Sequence, residues 1–365
     1  MSTHRSLTGI TSLRGLAAML VLVVHSFLIL GYSQQYSKNF ELTNIGVDIF
    51  FVLSGFIMAF AHWDDFGKGT KSVSLFIKKR VVRIYPMYLI ITLLTAIILY
   101  VAPHLFYAMK YSNELVLKSI LFIPSEVGTG TSLILAVAWT LAFEILFYII
   151  FAICLIPHRK AGLIATITAL SLWALAALTI TPENYISEFF LSSLPLEFIC
   201  GIIICMHYKS KQKQSAINPA ALISMLALAV AALIVFTIPY PIAERTLRDN
   251  SRAIYYGIPA IIIFICFLNA RQINKGWLRT TINSIGDASY STYLTHFLFI
   301  GAIKFVAARS GAIDSINIYA LIIFSCVFCT ACGIATHKII ETPVTKLFRL
   351  ALLGKNPRKL TCTVP

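Results

Sequence analysis

Long apolar runs separated by short polar ones fill almost the whole chain. Ten of these runs approach the ~20 residues that a bilayer core requires. They extend over about Leu13–Leu30, Ile45–Ala61, Ile84–Val101, Leu133–Ile156, Gly162–Ile180, Phe189–His207, Pro219–Ile238, Ala253–Leu268, Ser289–Val306 and Ile318–His337. Each predicts a membrane-crossing helix. Leu115–Ile123 is too short to cross and is flanked by Glu114 and Pro124, which predicts an interfacial or re-entrant piece. The expected fold is an all-α polytopic membrane protein, a bundle of about ten transmembrane helices. Residues 1–350 make up one integral membrane domain in this reading, and 351–365 a short basic cytoplasmic tail. No internal repeat marks a transporter built from two halves.

Composition agrees. Of 365 residues, 58% are hydrophobic and 12% charged, against about 25% charged in a soluble domain. The net charge of +15 would suit nucleic acid, but its placement argues otherwise. The N-terminus, 63–83, 157–161, 208–218, 269–288 and the stretch after His337 hold about 22 of the 30 Lys and Arg. These are alternate loops, so the excess obeys the positive-inside rule and meets anionic membrane lipids, and nucleic acid is not an expected partner. Both termini are expected in the cytoplasm. Loop 239–252 is then on the outer side, with Arg245, Arg248 and Arg252 beside Glu244 and Asp249. A solvated salt-bridged loop and an anionic-glycan contact both fit it. The first apolar run ends in Leu30-Gly31-Tyr32 without a small-residue cleavage pattern, so no cleavable signal peptide is expected. Most of the eight cysteines lie inside apolar runs. Cys326, Cys329 and Cys332 have only His337 near them, which favours helix packing over a metal; neither metal nor disulfides are expected.

Ionisable residues within these runs each need a reason, because one at mid-bilayer costs about 2.5–3.5 kcal/mol on insertion scales. Arg14 and His25 are eleven residues apart, three helical turns plus roughly 20°, so they share a face at roughly 16 Å separation. The second helix runs the opposite way and places Asp48 at a depth similar to His25. A carboxylate beside an imidazole is the arrangement of a general base with its orienter. A bonded core histidine and a helix-capping aspartate are the plainer alternatives. Gly46 and Gly55 would let this helix approach a neighbour closely. In the fourth run Thr140, Glu144 and Tyr148 form a polar stripe at i, i+4, i+8, with Trp139 about 140° from Glu144. Interhelical glue and substrate positioning both account for the stripe. Ser289, Thr292, Tyr293 and His296 share a face of the ninth run, and Glu197 is a weaker case. Before the third run, Lys78, Lys79, Arg80 and Arg83 make a basic cluster in a loop ending at Ile84-Tyr85-Pro86. It is a topology signal, and Arg80 with Arg83 is also a fork suited to phosphate.

These motifs, in this order, resemble acyltransferase family 3 of integral membrane proteins. The match is carried by Arg14 and His25 with ten residues between them, Ile45-Gly46-Val47-Asp48 through Ser54-Gly55-Phe56, and Arg80-x-x-Arg83-Ile84-Tyr85-Pro86. Trp139-Thr140-Leu141-x-x-Glu144-x-x-Phe147-Tyr148 and Ser289-Tyr290-Ser291-x-Tyr293-Leu294-x-His296 complete it, and the likeness runs from Thr11 to Glu341-Thr342-Pro343. The resemblance implies transfer of an acyl group, commonly acetyl, from a cytoplasmic donor such as acetyl-CoA to a hydroxyl of a glycan or lipid-linked sugar in the bacterial inner membrane. It is nearest to the exopolysaccharide and O-antigen O-acetyltransferases. It implies His25 as the catalytic residue and Arg14, Arg80 and Arg83 as donor contacts. Some members carry a fused esterase-like domain, absent from this sequence, which favours single-step transfer. Others acylate small molecules such as macrolides.

The expected mechanism has acyl-CoA phosphates near Lys79, Arg80, Arg83 and Arg14. His25, oriented by Asp48, deprotonates the acceptor hydroxyl, while Trp139, Glu144, Tyr148, Tyr293 and His296 line the acceptor pocket. A proton-coupled exporter would also bury His, Asp and Glu in such a bundle. It would not need a phosphate fork aligned with a membrane histidine.

Overall fold

The computed structural model describes residues 8–31, 41–106, 109–127, 130–210, 219–237, 251–269, 276–311 and 316–354. In order, α1 is Thr8–Leu30, α2 Ile45–Ala61, α3 Thr70–Val101, α4 Asn113–Ile120, α5 Trp139–Cys154 and α6 Arg159–Thr179. There follow α7 Tyr185–Phe190, α8 Pro195–Ser210, α9 Pro219–Thr237 and α10 Ile258–Asn269. The chain ends with α11 Trp277–Asp287, α12 Ser289–Arg309, α13 Ile318–Thr336 and α14 Thr342–Leu353. Among the described residues eight helices are long and apolar enough to cross a membrane, and the regions of α9 and α10 supply two shorter apolar ones. All ten coincide with predicted runs. A helix satisfies its own backbone, which is why such runs resolve as helices when no water is at hand. The short α4 lies where a non-spanning piece is expected, and a small antiparallel hairpin follows, Ser125–Val127 against Gly130–Ser132.

α2 is the centre of the bundle. It packs most extensively on α8, and also on α1 and α10. The closest approach is made by two glycines: Gly55 faces the backbone of Phe198, and Gly201 faces that of Val52 and Phe56. Gly46 sits against Ala17 and Val21 of α1. Small residues at these crossings substitute backbone contact for side-chain volume, which is how helices adhere where lipid is as apolar as leucine. Aromatic rings fill the space beside them, Phe198 stacking on Phe147 at 4.3 Å and tilting against Phe51 at 5.0 Å.

Two boundaries differ from expectation. The basic cluster 78–83 is not in a loop but inside α3, whose 32 residues extend about 48 Å. That exceeds a bilayer core, so its first turns protrude with their charges. Pro86 lies within this helix and denies an N–H to the carbonyl of Val82, which a membrane helix tolerates when neighbours compensate. The Tyr290 hydroxyl donates to the carbonyl of Ile84 in the same turn at 2.8 Å. Similarly, α13 does not end in a tail at His337. It passes through a π-helical turn, His337–Glu341, into α14, which packs against α3. The turn between α2 and α3 is clipped by Asp65, which meets His62 Nδ1 at 2.9 Å and Lys68 Nζ at 3.2 Å. The hydrogen bond from His62 pulls the Asp65 carboxyl down to about 2.

Candidate active site

A cavity of about 400 Å³ opens among α1, α2, α3, α5, α12 and α14. Along α2 its wall is made by Val47, Phe50, Phe51, Ser54, Met58 and Ala61, one face of a helix. From Val47 to Ala61 is fourteen residues, roughly 21 Å of rise. The cavity is therefore a channel. Its charged lining comes from Arg14 of α1, Lys79, Arg80 and Arg83 of α3, and Arg349 of α14. Thr140, Glu144 and Tyr148 line it together, as their spacing on α5 requires.

The cations are held in different ways. Arg83 donates to Glu341 at 2.7 Å and lies over the Tyr290 ring at 5.4 Å. Glu341 is aimed there by the π-helical turn, and its other oxygen accepts from Ser291 at 2.6 Å and meets His337 Nδ1 at 2.8 Å. Arg80 packs over Phe76 and Tyr148 at 5.8 Å each, with a buried Nε that finds no acceptor. Glu144 accepts from Ser54 at 2.7 Å and from the Tyr148 hydroxyl. Both donors are neutral and share its Oε1.

The other end of the channel closes on Tyr293. Its hydroxyl donates to the Val137 carbonyl at 3.0 Å and accepts from Thr140 at 2.8 Å, while Phe50 meets its ring edge-on at 5.9 Å. One turn further along α12 is His296, and stacked on it at 5.0 Å is His25 of α1. His25 Nδ1 and His296 Nε2 are 2.8 Å apart. His296 Nδ1 lies 3.1 Å from the carbonyl of Thr292, which can only accept, so that nitrogen carries the hydrogen. With both rings neutral, His296 Nε2 then accepts from His25 Nδ1–H. This leaves Nε2 of His25 with a bare lone pair, the form of a general base.

Asp48 is not the orienter of that imidazole. Its carboxylate is fully buried and takes a two-pronged hydrogen bond from Arg252, 3.0 Å from Nε and 2.8 Å from Nη2. Arg252 is correspondingly not part of a solvated outer loop; Arg245, Arg248, Glu244 and Asp249 lie outside the described residues. Glu197 is buried in the same quarter, next to Gly257. Trp139 also departs from expectation: it packs edge-on against Phe51 and Phe143 and is not among the cavity-lining residues. Its place about 140° from Glu144 on the helix is the reason.

The structure brings the expected donor contacts Arg14, Lys79, Arg80 and Arg83 and the expected acceptor residues Glu144, Tyr148 and Tyr293 to one cavity, whereas His25 and His296, bonded to each other, are not among its lining residues. Sequence reasoning missed Arg252 as the partner of Asp48, Glu341 as the partner of Arg83, and Arg349. The Glu341-Thr342-Pro343 run carried the one available signal. Among the described residues no cluster of His, Cys, Asp and Glu is built to hold a metal.

Comparison with known proteins places this geometry in context. The chain is similar to the exopolysaccharide production protein ExoZ of Rhizobium meliloti (strain 1021), 26% identical over 317 residues, 86% of this chain and 93% of that protein. It is also similar to acyltransferase MdmB of Streptomyces mycarofaciens, 25% identical over 384 aligned positions, 93% of this chain and 92% of that protein. A shorter likeness, 32% over 84 residues, 23% of this chain and 41% of the relative, joins it to protein 2 in the picA locus of Rhizobium radiobacter. No solved structure matches it. The acyltransferase-domain model matches residues 7–337, from the start of α1 to the π-helical turn that aims Glu341, and the chain therefore belongs to acyltransferase family 3, a family of multi-pass membrane acyltransferases.

Proposed function

We propose that the protein is an inner-membrane O-acetyltransferase that moves an acetyl group from acetyl-CoA to a hydroxyl of a surface polysaccharide or lipid-linked glycan. Family membership supports acyl transfer, and the name of the relative ExoZ, an exopolysaccharide production protein, supports a polysaccharide acceptor. The observation that carries the reading is a single line of features. A cation-lined channel runs along α2 to Tyr293, and the His25–His296 pair lies one helical turn beyond.

In this reading the basic end faces the cytoplasm and receives the phosphates of the donor. Its thioester arm follows the apolar wall of α2 toward Tyr293. The acceptor hydroxyl gives its proton to His25 Nε2 as its oxygen attacks the thioester carbonyl. The new C–O bond forms, the C–S bond breaks, and the proton held on His25 passes to the departing thiolate to give CoA–SH. His296 does what Asp48 was expected to do: it holds His25 in one tautomer and shares the positive charge that develops. An adjacent neutral imidazole does this without adding an anion to the membrane interior.

The test is transfer of radiolabel from acetyl-CoA to polysaccharide by protein in nanodiscs. His25→Ala is expected to lower the rate at least about 100-fold, the usual scale for losing a general base. His296→Ala is expected to lower kcat strongly with little change in KM for the donor. Label transfer undiminished by His25→Ala would overturn the reading. A burst of free CoA from donor alone would replace direct transfer by a covalent acyl-enzyme.

A further inference from the structure

The helix that follows the last spanning segment stays with the bundle. α14 packs against α3, and Thr345, Arg349, Leu350 and Leu353 fall at i, i+4, i+5 and i+8, one helix face, on the cavity wall. The neighbouring Leu347 and Phe348 are exposed and apolar, as on a helix lying in a membrane interface. Arg349 is thus turned toward the channel by the helix that anchors it.

The charge balance of the channel gives that position a meaning. Of its lining cations only Arg83 pairs with a carboxylate among the described residues. Among the described lining residues one acid, Glu144, faces five cations, and its Oε1 already accepts from Ser54 and Tyr148. Arg14, Lys79, Arg80 and Arg349 therefore line one cavity with no ion-pair partner among the described residues, and Arg80 Nε is buried without an acceptor. An excess of like charge on one cavity wall calls for an anion carrying more than one charge, and guanidinium is suited to phosphate. Resting on the donor reading above, we infer that Arg349 is a donor-binding residue that holds a phosphate group of a nucleotide-bearing acyl donor. α14 is then one lip of the donor site rather than a tail.

An anionic lipid headgroup offers the same chemistry, and a basic residue past the last span also serves topology. Equilibrium binding separates these. Wild type, Arg349→Ala and Arg349→Lys are measured in nanodiscs against CoA and against pantetheine, which lacks the nucleotide phosphates. Each is measured in zwitterionic and in phosphatidylglycerol-containing lipid. Arg349→Ala is expected to weaken CoA binding about tenfold, the scale of one charge-assisted hydrogen bond. Pantetheine binding should not change, Arg349→Lys should recover part of the loss, and lipid composition should not matter. Equal loss for both ligands, or no loss, overturns the inference while leaving the donor reading in place. A loss seen only with anionic lipid assigns Arg349 to the headgroup instead. Failure of wild type to bind CoA at all overturns both.

Discussion

Arg252 crosses 204 residues of sequence to place two nitrogens on the two oxygens of Asp48, and the carboxylate it meets is closed to solvent. A buried pair of this kind is expensive to break from one side, because the remaining charge stays in a low dielectric; about 3–5 kcal/mol is usual. Arg252→Ala is expected to lower thermal stability in detergent far more than the same change made in an Asp48→Asn background. Additive effects in that double-mutant cycle would show that the pair is not coupled. The pair also marks what a sequence can tell about a residue. His25, Asp48, Glu144 and His296 stood out because each is polar within an apolar run. Which of them touch was not legible, since the partner of His25 is 271 positions away and that of Asp48 lay in a stretch read as an outer loop. Depth along a helix follows from counting residues, whereas rotation against neighbours follows from packing that no single run contains.

Helices were the most legible level, because hydropathy over about 20 residues reports the lipid they face. Their ends were less so. α3 continues for four turns before Ile84, and α14 continues beyond the π-helical turn, in both cases with charged residues that hydropathy reads as loop. Only the outer limits of the lipid are written in such a profile; a helix that goes on into water or along an interface looks the same as a tail. Contacts between helices were partly legible through glycine. Gly46 and Gly55 were expected to permit close approach, and both face backbone or packed side chains of a neighbouring helix. A methyl group at Gly55 or Gly201 would press on main chain, which yields less readily than a side chain. Gly55→Ala and Gly201→Ala are each expected to destabilise by about 1–3 kcal/mol, the usual cost of overpacking. Gly301→Ala, with nothing within 4 Å of the added carbon, should instead raise stability by about 0.5–1 kcal/mol through the helix backbone alone. Melting curves of the three variants in one detergent check both signs; equal behaviour would mean that the α2–α8 crossing is looser than it looks.

For the molecule as a whole, the chemistry proposed depends on which way the bundle faces. A nucleotide donor is made in the cytoplasm and a surface glycan is presented outside, so the cation-lined mouth must open inward. The distribution of Lys and Arg among alternate loops argues for that direction, since cytoplasmic loops retain positive charge during insertion. Lys68, exposed in the turn between α2 and α3, and Trp277, exposed at the start of α11, then share the inner side, and Lys110, exposed between α3 and α4, lies outside. Single cysteines at these positions, in a background with the eight native cysteines replaced, turn the question into a labelling pattern. With a membrane-impermeant maleimide on intact spheroplasts, Lys110→Cys should react and Lys68→Cys and Trp277→Cys should not; permeabilised membranes should expose all three. The opposite pattern would put Arg14, Arg80, Arg83 and Arg349 on the outer side, beyond the reach of acetyl-CoA. The same channel would then have to draw on an anionic donor from outside the cell, and the histidine pair would face the cytoplasm.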